Sequence, residues 1–548
     1  MKRLIPVLIM SLSALVVRAG QYTHADTLRG SNGSGRSWWD VSRYQLDVKF
    51  DTTTQSITGS NQIFFRVTAP PGDSMQIDLQ QPMVLDSVYV MSSSRTSGGV
   101  RKAAIVQEGN VWWVKYPFNT LKQDSLYSLL AFYHGSPRKA VNPPWDGGFS
   151  WKTDSLGRPW IAVSCQGLGA SVWWPCKDAQ WDEPEDGMIN SFTVPSPLTC
   201  ISNGRRVGNT QTDGNTTTTW VVRNPINNYD VTFYVGHYAT WHDTLNGEKG
   251  VLDLDYAVLD YNQERAKAHF GVVKTMLRAF EYWFGPYPFY EDGYKLVESP
   301  YLGMEHQSAI AYGNKFRMGY KGTDRSWTGH GLKWDYIIIH ESGHEWFGNN
   351  VTAKDMADNW IHEGITCYSE ALFTEYTAGK DNAAAYSRGL WSHIRNDQPV
   401  VAPYGVNDEG TGDIYEKGEA VMHMIRVLTN NDDKFRKMLR GIGKEFYHKT
   451  VTTAEVEQYI AKTTELELGA FFNQYLREKD VPELEYYIKN KELNFRFTNV
   501  VAGFSLPLTA TGGDKKAPVK VTGDWAKVAW EGGYDVSFSK DFLIKLKK

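Results

Sequence analysis

The stretch His340-Glu341-Ser342-Gly343-His344 constrains this chain more than any other feature, and Glu363 follows it after eighteen intervening residues. In a helix, residues four apart lie about 40° apart around the axis, on one face. His340 and His344 therefore present two imidazoles to one point. Glu341 is turned about 100° from His340 and stands beside that point. Tyr336, Ile337, Ile338 and Ile339 precede the motif, so this helix runs through an apolar core. Glu363 sits in a second apolar stretch, with Ile361, Ile365, Tyr368 and Leu372 at helical period. The chain must then fold so that two buried helices share a set of histidines and acids. Buried charges need a partner, and a metal ion provides one. Two histidines and one glutamate leave one coordination position open, the arrangement of a catalytic site. Zinc suits imidazole and carboxylate at these spacings, one ion per chain. Glu341 then occupies the place of a base acting on water beside the metal. The competing reading of the same residues is an ion-pair network between two core helices.

Two further segments join this pattern. One is Gly303-Met304-Glu305-His306, and the other is Tyr415-Glu416-Lys417-Gly418, which opens a helical stretch over residues 419–428. With His344-Glu345-Trp346-Phe347-Gly348-Asn349 and Trp360-Ile361-His362-Glu363-Gly364, their order and spacing resemble the aminopeptidase N family of zinc peptidases (gluzincins), which includes leukotriene hydrolase. The resemblance covers roughly residues 40 to 500. It implies a metallo-aminopeptidase, a hydrolase of peptide catabolism whose partners are peptides with a free N-terminus. It also implies roles. His340, His344 and Glu363 hold zinc, and Glu341 is the base. Tyr415 donates to the oxyanion at the scissile carbonyl. Gly303, Met304 and Glu305 bind substrate, with Glu305 on the α-ammonium group. Gln166, in Ser164-Cys165-Gln166-Gly167-Leu168, is the second amine contact, supplied by the N-terminal domain. The sequence departs from the family at His306, where the family has Asn, and at Leu302, where it has a small residue. His306 is expected to tune the pocket, or to lower activity when it protonates in the ordinary histidine range. Two other readings stay open: an epoxide hydrolase-like enzyme, and a non-catalytic peptide-binding member of the same family.

The hydrophobic period divides the chain. Lys2 and Arg3 precede an apolar run from Leu4 to Val17 that ends at Ala19, the pattern of a signal peptide over residues 1–19. The expectation is export, to a periplasmic or secreted location, with no stable membrane insertion after cleavage. Residues 20–40 are rich in Ser and Gly and are expected to be a flexible leader. From Tyr44 the pattern alternates through Leu46, Val48 and Phe50, and again through Ile63, Phe65 and Val67. Residues 41–244 therefore predict an all-β domain. Helical spacing begins with Ala266, Phe270, Val273, Leu277, Phe280 and Phe284 and stops at Gly285-Pro286. Thr452 with Glu455 predicts a capping box. Residues 245–480 are expected to form a mainly helical catalytic domain, thermolysin-like by the resemblance. Residues 481–548 alternate again and predict a small C-terminal β-sandwich. The fold class is thus multidomain α+β. The stretch 294–310 is expected to be extended and able to pair with a peptide main chain.

Composition limits the alternatives. A net charge of −4 provides no basic field for nucleic acid. Cys165, Cys176, Cys200 and Cys367 are too few and too irregular for a disulfide scaffold. A bridge from Cys165 to Cys176 is one option, and buried free thiols are the default.

Overall fold

The computed structural model describes residues 22–92 and 100–547. The expected signal peptide lies outside the described residues. No described helix is long and apolar enough to cross a membrane.

The N-terminal region is built from strands, as the alternation requires. Trp39–Asp51 buries Val41, Tyr44, Leu46, Val48 and Phe50, while Asp47, Lys49 and Asp51 face water. It pairs antiparallel with Ser56–Val67 and parallel with Met188–Pro195 inside a ten-stranded sheet. A four-stranded sheet containing Gly148–Thr153 and Phe233–Gly236 packs on that face. Phe233 meets Phe50 across the gap at 4.8 Å between ring centres, edge to face.

Residues 22–40 differ from the flexible leader the Ser and Gly content suggested. His24–Gly30 is a helix, α1, opened by a Thr23–Asp26 capping box. Beyond it Arg36 is fully buried with Nη2 2.5 Å from Asp78 Oδ2, and Trp38 and Trp39 lie in the β core. Two indoles and a paired guanidinium fix this stretch, which a count of small polar residues overlooks.

The expected boundary at residue 244 falls inside the strand Tyr238–Gly247, which pairs along its length with Gly250–Leu259. These two strands begin a five-stranded sheet that continues through Tyr294–Glu298 and Ile310–Tyr312 to Gly303–Met304 at its edge. The helices follow: α2 Gln263–His269, α3 Val273–Phe284, α4 Tyr336–Gly343, α5 Trp360–Ala378, α6 Lys380–Leu390 and α7 Glu416–Thr429. Thr452 and Glu455 form the capping box anticipated from their spacing. Residues 483–547 make sheets of four and three strands, and Leu484, Phe497 and Leu506 join the same apolar core as the helices. All four cysteines are free and buried, so the Cys165–Cys176 bridge is not formed.

Candidate metal and catalytic site

Asp335 caps α4 by accepting from the Ile337 amide at 3.0 Å, and every residue of α4 is buried. This places His340 in the interior one turn before His344. Their Nε2 atoms are 3.3 Å apart. Glu363, in the first turn of α5, brings Oε2 to 3.5 Å from His340 Nε2 and 3.3 Å from His344 Nε2. Three ligands on one tetrahedral zinc, each about 2.0–2.2 Å from the ion, stand about 3.4 Å apart. The three atoms therefore fit zinc as placed. Glu363 Oε2 is also buried with no hydrogen-bond partner in the protein, which is the condition a metal ligand leaves.

The opposite edges of the imidazoles are held. His340 Nδ1 lies 2.8 Å from Glu370 Oε1, and Tyr386 donates to the other Glu370 oxygen at 2.5 Å. His344 Nδ1 lies 3.0 Å from the Phe347 carbonyl. Both contacts aim Nε2 at Glu363 and raise ligand basicity. Glu370 escaped the sequence reading. Its signal was present, because seven residues after Glu363 is two turns along one helix face.

Two glycine contacts set the rest of the geometry. A Cβ on Gly303 would stand 2.5 Å from Glu341 Oε1, so the edge strand leaves room for the carboxylate only because it carries glycine there. Gly364 on α5 and Gly418 on α7 pack backbone to backbone, where a Cβ on Gly364 would come 2.7 Å from the Gly418 Cα. That crossing brings Tyr415, the residue before α7, to the metal site. Its ring lies 6.2 Å from that of His340 and nearly parallel to it.

Glu341 is buried, and desolvation pushes its carboxyl up to about 8. Burial likewise holds the Tyr415 phenol well above its ordinary range, so it keeps its proton. Glu305 is buried with Oε1 3.2 Å from the Tyr229 hydroxyl, and burial raises its carboxyl too. One ligand atom each of Glu305, Glu341 and His344 falls within a 4.8 Å span. Gln166 reaches across from the β domain and donates Nε2 to Glu363 Oε1 at 2.8 Å. Gly303, Met304, Glu305, Gln166 and Tyr415 all line one cleft of about 780 Å³ together with Glu341 and the three metal-binding side chains. Every predicted catalytic, substrate-binding and metal-binding residue is thus brought to one cleft. His306 does not line it. It is fully buried with Nδ1 2.9 Å from the Tyr234 hydroxyl, and burial pushes it down to about 3. It is neutral throughout the range where it was expected to titrate.

Residues 269–475 match the family model described as the peptidase family M1 domain. The chain is 23% identical to leukotriene A-4 hydrolase of Xenopus laevis over 350 residues, covering 59% of this chain and 53% of that protein. It is 28% identical to aminopeptidase B of Mus musculus over 222 residues, covering 37% of this chain and 32% of that one. The chain therefore spans about half or less of these relatives' length. An M1 zinc metallopeptidase from Deinococcus radiodurans shares the fold, with a TM-score of 0.68 at 19% identity, over 82% of this chain and 96% of that one. The local motifs and the family match agree over residues 269–475, which are similar to a peptidase family M1 domain, and the fold is shared with an M1 zinc metallopeptidase.

Proposed function

We propose that this chain is an exported zinc aminopeptidase that releases N-terminal residues from peptides. The observation that carries the reading is the convergence of the zinc-fitting triad, the buried base Glu341 and the carboxylate Glu305 in one cleft. A zinc ion held by His340, His344 and Glu363 supplies Lewis acidity and makes water a stronger acid. Glu341 takes a proton from the attacking water and passes it to the leaving amine. Tyr415 keeps its phenolic proton and donates it as a hydrogen bond to the oxyanion. Glu305 accepts the substrate's α-ammonium group. Gln166, with Nε2 engaged on Glu363, offers its amide oxygen to the same ammonium. The edge strand Gly303–Met304 gives an extended peptide a main chain to pair with. A peptide is a fitting ligand for this fold, since a variant of the Deinococcus radiodurans enzyme is known with a Tyr-Ser-Ala substrate. Export rests on the Lys2-Arg3 start and the apolar run to Val17.

The test compares one aminoacyl p-nitroanilide with free and acetylated N-termini. An acetylated end leaves the buried Glu305 unpaired, a penalty of several kcal/mol. We expect turnover of the free form, abolished by a zinc chelator, and almost none of the acetylated form. Equal rates on the two would make the protein an endopeptidase and remove the role given to Glu305.

A further inference from the structure

Beside the cleft, and sharing Gln166, Arg29 and Asn407 with it, is a cavity of about 50 Å³ that Tyr229, Asn359 and Gly30 also line. Tyr229 is the residue whose hydroxyl holds Glu305. The cavity therefore adjoins the amine-binding side chains. It has room for a few waters and none for another amino-acid residue.

Arg29 and Gly30 belong to α1. This helix has seven residues and fully buries none of them, so apolar burial contributes little to its position. A helix this short is also not stable by itself. Its ties are polar, and they run to both sides of the cleft. On the β domain, Arg29 Nη1 lies 3.0 Å from Asp178 Oδ2 and 3.3 Å from Ser171 Oγ, and Gln76 donates to the Leu28 carbonyl at 3.1 Å. On the catalytic side, the Tyr22 hydroxyl donates to Asp408 Oδ2 at 2.6 Å. Gly30 abuts the neighbouring Val406, and a Cβ built on it would stand 2.2 Å from the Val406 carbonyl carbon. Asn407 completes the seam by donating to the Gly167 carbonyl at 3.1 Å. Ala25, Asp26 and Arg29 face the cleft itself.

We propose that residues 22–30 are a fixed end wall of the substrate cleft. The wall allows a single residue on the amine side of the scissile bond, so exopeptidase selectivity is set by space as well as by Glu305. The inference rests on the aminopeptidase reading above.

The test uses full-length variants and the same pair of substrates. Gly30→Ala drives a methyl group into the Val406 backbone and pries the wall off its loop. Arg29→Ala cuts the tie to Asp178 without adding an atom. Gly33→Ala is the control, because its Cβ would meet nothing nearer than Ser31 Oγ at 3.8 Å. We expect Gly30→Ala and Arg29→Ala to raise the ratio of acetylated to free kcat/KM by about tenfold, the low end of what one steric misfit is worth in a pocket. Gly33→Ala should keep the wild-type ratio. An unchanged ratio in variants that melt like wild type would show that α1 only packs, and would overturn the proposal. If Gly30→Ala fails to fold, Arg29→Ala alone decides. If the wild-type protein turns over neither substrate, the aminopeptidase reading fails separately. The wall is then judged by tryptophan-fluorescence titration with an N-acetylated tripeptide. Tighter binding by Arg29→Ala supports it, and equal binding refutes it.

Discussion

Glu341 and Tyr415 line the same cleft as the metal-binding triad and can be removed one at a time. Glu341→Gln is nearly the same size, so it should keep its metal and lose turnover by ~10² or more, the scale of general-base catalysis. Metal analysis and kcat on one preparation check this, and near wild-type kcat would exclude Glu341 as the base. Tyr415→Phe removes one donor to the oxyanion and should lower kcat by about 10²–10³ with metal content intact. A change confined to KM would reassign Tyr415 to binding. Glu370 touches no substrate, yet it orients His340 through Nδ1 at 2.8 Å. Glu370→Gln should weaken zinc binding by about 10–100-fold, measured by competition with a chromogenic chelator. The metal set and Glu341 could be read from spacing because a helix converts sequence offset into direction. Glu370 obeyed the same rule, but a lone acid two turns along carries no motif.

Helix α7 matters for more than the tyrosine before it. Its position is fixed where Gly418 meets Gly364, and a Cβ on Gly418 would stand 2.8 Å from the Gly364 Cα. Backbone cannot yield there as a flexible side chain would. Gly418→Ala should cost about 1–3 kcal/mol, as overpacking does, and should move Tyr415 away from the metal. Urea unfolding reads the first effect and kcat the second. The next residue, Glu419, is fully buried, accepting from Ser387 Oγ and from Trp391 Nε1, and burial pushes its carboxyl up to about 8 from an ordinary 4.5. A folded value above the unfolded one means the native state holds the extra proton. The stability from neutral Glu419 is therefore complete below pH 4.5 and lost as pH rises through 8. Glu419→Gln stays neutral at every pH. The stability of wild type relative to this variant should fall across that window in urea titrations, and a constant difference would refute the assignment.

At the scale of the whole molecule, the site is a seam. The catalytic helices supply the metal-binding set, the residue after the edge strand is Glu305, and the β domain sends Gln166 across to Glu363. Metal that binds only the folded state adds stability by mass action, about 2.7 kcal/mol at a hundredfold excess over Kd. Chelation should therefore lower Tm and added zinc should restore it; a Tm indifferent to both would argue against a site at this seam. The sequence by itself determined the order of β, helical and β regions. It also picked out His340, His344, Glu363, Glu341 and the segments around Glu305 and Tyr415, which the structure brings to one cleft. These depend on periodicity and on short spacings, which the backbone converts directly into faces and turns. Only the tertiary structure decided the rest. It placed the strand Tyr238–Gly247 with the catalytic sheet, because pairing with Gly250–Leu259 outweighs position in the chain. It made His306 neutral, because burial and not residue type sets its proton affinity. It turned residues 22–30 from an expected flexible leader into a wall, because their partners Asp178, Val406 and Asp408 are more than a hundred residues away and no local pattern announces them.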